Sequence, residues 1–111
     1  MFRDNFQLTS IDISNFDTKN VETMSSMFEH CYVVNSLELK NFDTSKVTDM
    51  YKLFNGLRKV KELNVSNFDE SQVKDMTQML ENCGEVKKLE MKNFNTKNLI
   101  YLNCKWSKII F

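Results

Sequence analysis

Hydrophobic and polar positions along the chain change rhythm twice within each stretch of 26 residues, and the change repeats. In "TSIDISNFDT" the apolar Ile11 and Ile13 alternate with Ser10, Asp12 and Ser14. That two-residue period predicts a short strand with one buried face. From Val21 onward apolar residues fall at i, i+3, i+6, i+7 and i+10, through Met24, Met27, Phe28 and Cys31. This spacing predicts a helix with one apolar stripe. Asp17 or Thr18 stands just before it, where a helix needs a side-chain acceptor for its first N–H groups.

The same words then return. "NFD" occurs at 15–17, 41–43 and 67–69, and "NFN" at 93–95, each interval being 26 residues with no insertion. The apolar columns keep register: Leu8, Val34, Val60, Val86; Ile11, Leu37, Leu63, Leu89; Ile13, Leu39, Val65, Met91. After the phenylalanine they continue as Val21, Val47, Val73, Leu99 and as Met24, Met50, Met76, Leu102. One strand-helix pair cannot bury its apolar face alone, so the copies must stack on one another. The expected fold is α/β: four 26-residue strand-turn-helix rungs at about 8–33, 34–59, 60–85 and 86–111, behind a partial rung at 1–7. A parallel sheet would line one face of this single domain and helices the other. Met1-Phe2 aligns with Met27-Phe28, so the chain starts inside a repeat.

These residues carry a family resemblance. "LTSIDISNFDTKNVETMSSMFEHC" and "VNSLELKNFDTSKVTDMYKLFNGL" resemble the BspA-type leucine-rich repeats, 26-residue surface-protein repeats of bacteria, mycoplasmas and some protists. The resemblance spans essentially the whole chain through its NFDT, V-x-x-M and M-F-x-x-C elements. It implies a right-handed, horseshoe-like solenoid, and binding or adhesion in place of catalysis.

Composition narrows the functional classes. Fifteen basic and fifteen acidic residues cancel, so no global field draws the chain to nucleic acid or anionic lipid. Proline is absent and glycine occurs only at Gly56 and Gly84, which leaves no flexible linker to mark. No run is long and apolar enough for a membrane span, and the N-terminus lacks the apolar core of a signal peptide. Cys31, Cys83 and Cys104 are odd in number without C-x-x-C spacing, which argues against a disulfide framework or a zinc site. Cys31 and Cys83 fall in the inward column with Leu57 and are expected in the core. No nucleophile-base pair or phosphate-binding loop is present, so the expectation is a protein that is not an enzyme and needs no cofactor or metal.

The expected function is therefore a non-catalytic protein-protein interaction module whose partner is another protein. Its candidate surface is the outward grid of the strands: Asp12; Ser36, Glu38, Lys40; Glu62, Asn64; and Lys88, Glu90, Lys92. Asp12, Glu38 and Glu90 form an acidic column interrupted by Asn64, suited to charge-complementary recognition. A second candidate is the apolar end of the chain, Ile100, Tyr101, Trp106 and Phe111, as a terminal cap or an interface, including a dimer through the open ends of the stack. Asn15, Asn41, Asn67 and Asn93 are expected to satisfy backbone groups of adjacent rungs. Arg58, Lys59, Lys61, Lys87 and Lys88 make a basic spot too short for direct nucleic-acid binding.

Two settings compete for such a module. A stand-alone chain with free thiols suits an intracellular inhibitor of a larger protein or nuclease complex, of phage or mobile-element type such as an anti-CRISPR. A fragment of a longer protein suits a bacterial cell-surface adhesin.

Overall fold

A computed structural model describes residues 1–91 and the backbone of 108–110. Its regular secondary structure, among the described residues, is three short strands: β1 (Glu62–Asn64), β2 (Lys88–Glu90) and β3 (Lys108–Ile110). They form one parallel sheet in the order β1-β2-β3. Glu62 lies beside Lys88, Leu63 beside Leu89 and Asn64 beside Glu90, which is the 26-residue register of the repeat. The alternation reading holds here, with Leu63 buried between exposed Glu62 and Asn64. In the first two rungs the sheet thins to a single parallel bridge, Ser10 to Ser36.

The helices do not form. Among the described residues none is present, so the helix-faced α/β leucine-rich-repeat solenoid is not the architecture of this chain. What occupies Val21 to Cys31 and its repeats is a run of overlapping turns. Met27 N–H bonds the Met24 carbonyl at 3.1 Å, Glu29 that of Ser26 at 3.2 Å, and Cys31 that of Phe28 at 3.3 Å. The alternate amides leave the coil altogether. Met24 N–H reaches Asp49 O at 2.9 Å, Ser26 reaches Tyr51 at 2.8 Å, Phe28 reaches Leu53 at 3.0 Å and His30 reaches Asn55 at 2.8 Å. A helix would need every one of these N–H groups for its own i−4 carbonyl. Parallel bridges from Thr23 to Asp49 and from Asp49 to Asp75 mark the same side of the coil.

Backbone sign explains why the turns persist. Ser26, Lys52 and Gln78 have φ of 56°, 53° and 57°, and Asp4, His30, Gly56 and Asn82 have φ of 57°, 60°, 83° and 60°. Each set recurs every 26 residues. Each of these residues sits third in its four-residue turn, the place where a type II turn requires positive φ. Two such turns in succession, Met24–Met27 and Phe28–Cys31, point their first and last residues inward. The resulting stripe at 24, 27, 28 and 31 has the spacing of a helix face without being one.

The core fills the centre of the coils. Phe28, Phe54, Met24, Met50, Leu53, Leu57, Leu63, Met79, Leu80 and Leu89 are all at most 2% exposed. Two phenylalanine columns interleave there. Phe28 stacks between Phe2 at 5.6 Å and Phe54 at 5.9 Å, while Phe42 stacks on Phe68 at 6.4 Å and meets Phe28 at 6.5 Å. These are ordinary favourable separations for offset rings. Val34, Val60 and Val86 are buried, whereas Leu8 in the same column is 43% exposed.

Polar side chains tie the coils together. Thr44 is 1% exposed, and its hydroxyl donates to the Asp69 carbonyl at 3.0 Å while accepting the Asp69 N–H at 2.7 Å. Thr18 does the same to Asp43, at 3.0 and 2.8 Å. The expected helix N-cap is thus an inter-coil clasp. Asp17, Asp43 and Asp69 accept from the N–H two residues on, at Lys19, Ser45 and Ser71, closing turns and not helices. Asn41 donates to Ser14 O, and Asn67 to Leu39 O and Phe42 O, all in the preceding coil. The final coil departs from the period, since β3 begins twenty residues after β2 rather than twenty-six. Phe94, Leu99 and Leu102 lie outside the described residues.

Candidate functional site

The outward strand positions converge as the alternation requires. Asp12, Ser36, Glu38, Lys40, Glu62 and Asn64 are exposed, and Lys88 and Glu90 half-buried. Asp12, Ser36, Glu38 and Lys40 lie outside the formal strands, Ser36 in its bridge to Ser10 and Lys40 in a turn, whereas the other four ride on β1 and β2. A shallow concavity of about 200 Å³ opens between them, lined by Glu38, Glu62, Asn64, Lys88 and Glu90 with Leu37 and Leu63 at its floor. Lys92, Ile100, Tyr101, Trp106 and Phe111 lie outside the described residues.

Charge in the concavity is uneven. Lys88 Nζ lies 3.1 Å from Glu90 Oε1. That hydrogen bond, then the charge of Glu90, holds the Lys88 ammonium above its ordinary 10.5. Among the described residues Glu38 and Glu62 have no cation within 4 Å. Asp12 instead accepts from the Ser14 hydroxyl at 2.6 Å and from its N–H at 3.0 Å, which holds its carboxyl below 3.8. The face therefore offers Glu38 and Glu62 without a contact ion pair beside the Lys88–Glu90 pair, and the Glu62 charge adds to the field that holds Lys88 up.

A second cluster joins the N-terminal segment to the coils. The Glu29 carboxylate is 1% exposed and meets Arg3 Nε at 3.0 Å and Lys52 Nζ at 3.4 Å. Burial works to raise its pKa, yet the Ser26 and Lys52 hydrogen bonds and the Arg3 charge outweigh it, and the net shift is below 4.5. His30 Nδ1 lies 2.7 Å from Asp4 Oδ1. Its sequence neighbour Cys31 turns the other way, Sγ to the Phe2 carbonyl at 3.0 Å, and burial pushes that thiol up. Cys31 and Cys83 are both fully buried. Cys104 lies outside the described residues. No three His, Cys, Asp or Glu side chains gather as a metal site among the described residues.

A third feature was not read from the sequence. Phe6, Tyr32 and Arg58 occupy one repeat column on the corner where each coil returns to the sheet. Phe6 and Tyr32 stack at 5.4 Å, and the Arg58 guanidinium lies 4.0 Å over the Tyr32 ring. The 26-residue alignment places these three residues one above another, so the signal was present, but the column mixes residue types and shows no apolar period.

Residues 1–108 match the model of the family described as Mycoplasma protein of unknown function, DUF285. The chain belongs to the DUF285 family. That match replaces the BspA-type leucine-rich-repeat resemblance as the statement of kinship. Comparison with curated proteins and with solved structures finds no match. In this DUF285 chain no helix among the described residues is long and apolar enough to cross a membrane.

Proposed function

We propose that this chain is a non-catalytic protein-binding module that uses the concave sheet face to hold a basic, extended segment of a partner protein. The observation that supports it is the concavity between Glu38 and Glu90, in which the Glu38 and Glu62 carboxylates have no cation within 4 Å among the described residues. Parallel strands about 4.8 Å apart repeat acceptors at a spacing that lysine or arginine side chains of an extended peptide can follow. Complementary charge of this kind governs register and on-rate more than affinity. The reading requires weak, salt-sensitive binding, since exposed ion pairs are worth about 0–1 kcal/mol each.

The test is fluorescence anisotropy with a labelled Lys-Gly-Lys-Gly-Lys peptide at low and at high salt. Saturable binding at low salt, lost in the Glu38→Gln/Glu62→Gln double variant with an unchanged circular dichroism spectrum, supports the assignment. Equal binding by that double variant refutes it.

A further inference from the structure

We propose that the corner column Phe6–Tyr32–Arg58 ends in a seat for one aromatic side chain of a partner protein, placed over Gly84 against the outer face of the Arg58 guanidinium. The corner is a separate surface from the sheet concavity and stands whether or not that concavity binds.

Among the described residues the column is a stack with its last place open. Phe6, Tyr32, Arg58 and Gly84 follow one another at 26-residue intervals. Ring lies on ring and guanidinium on ring at 5.4 and 4.0 Å, and the fourth position supplies no side chain. A Cβ built on Gly84 would meet no atom of the described residues within 4 Å. The φ of Gly84 lies outside the positive range that restricts side chains, so neither space nor backbone sign calls for glycine there. The neighbouring column shows the opposite constraint. Gly56 has φ of 83°, and a Cβ on it would approach Tyr32 Cε1 to 3.1 Å, so a bare backbone there leaves room for the Tyr32 ring in the stack.

Arg58 is suited to present its second face. It is exposed, and among the described residues it has no carboxylate within 4 Å, whereas the next residue, Lys59, pairs with Glu85 at 3.2 Å. A guanidinium is weakly hydrated and stacks on aromatic rings on either side. Arg and aromatic side chains are also the residues that dominate protein interfaces. A protein ring is the better occupant than a nucleobase. Phosphates would need a stripe of free cations, but Lys59 and Lys88 are already paired with Glu85 and Glu90.

The experiment is an NMR titration with N-acetyl-tryptophanamide, N-acetyl-leucinamide and adenosine monophosphate, observing the Arg58 Nε–H and Gly84 N–H signals. The tryptophan probe is expected to give saturable upfield ring-current shifts at both. Arg58→Ala should weaken them at least tenfold, and Gly84→Tyr, which fills the place from within, should abolish them at Arg58. The Glu38→Gln/Glu62→Gln variant should leave them unchanged. Equal shifts with the leucine probe, tryptophan shifts that survive Gly84→Tyr, or tighter binding of adenosine monophosphate than of the tryptophan probe would each overturn the proposal.

Discussion

Replacing Thr44 with valine removes one hydroxyl and keeps the side-chain shape, which isolates the clasp between the second and third coils. In the native chain this hydroxyl donates to Asp69 O at 3.0 Å and accepts from Asp69 N–H at 2.7 Å, at 1% exposure. Each of the two hydrogen bonds lost leaves a part-buried Asp69 backbone group without its partner, at about 1–2 kcal/mol apiece. The expected loss is about 2–4 kcal/mol, a large share of the 5–15 kcal/mol typical of a domain. Had Thr44 been a helix N-cap, the loss would be about 1 kcal/mol. Urea unfolding of Thr44→Val and Thr44→Ser measures it, with serine recovering most of the loss. Hydrogen exchange at Asp69 N–H supplies a local reading and should accelerate only in the valine variant. A loss near 1 kcal/mol with unchanged Asp69 exchange would refute the clasp.

Two further predictions separate the coil from its alternatives. Gln78 has φ of 57°, where a non-glycine residue bears about 1–2 kcal/mol of steric cost, so Gln78→Gly should raise the urea midpoint, whereas in a helix it would lower stability by about 1 kcal/mol. Acid should act through depressed carboxyls: hydrogen bonds from Ser14, Ser45, Ser71 and Thr77 hold Asp12, Asp43, Asp69 and Asp75 below 3.8, and Glu29 is held below 4.5. Groups whose folded pKa is lowered stabilise the chain above their unfolded values and lose that contribution as pH falls through the folded ones. Lys52, hydrogen-bonded to Tyr51 and facing Glu29, and Lys88 beside Glu90 are held above 10.5, and their contribution is present below that value and lost above it. Thermal unfolding followed by circular dichroism should therefore show an acid limb below about pH 4.5 and an alkaline limb above about pH 10.5.

Much of the candidate surface could be read in advance because strand alternation is a local property. Leu63 inward with Glu62 and Asn64 outward follows from the two-residue period, and the partner residues Lys88 and Glu90 follow from adding 26. The corner stack escaped that reasoning, since Phe6, Tyr32 and Arg58 share neither polarity nor size. The turns also left a trace that hydrophobic spacing hides. The column Asp4, His30, Gly56, Asn82 contains only residue types at ease with positive φ, which argues against a helix passing through it.

The sequence by itself determined the period, the register and the inward columns, because a side chain's polarity decides whether it can leave water wherever the backbone runs. Tertiary structure alone decided what the backbone does between those columns. Apolar residues at i, i+3, i+4 and i+7 serve a helix and a pair of consecutive turns equally well. The choice falls to the amides: Met24, Ser26, Phe28 and His30 bond carbonyls of the next coil, 25 residues on, and an N–H committed to such a neighbour is not free to close a helix.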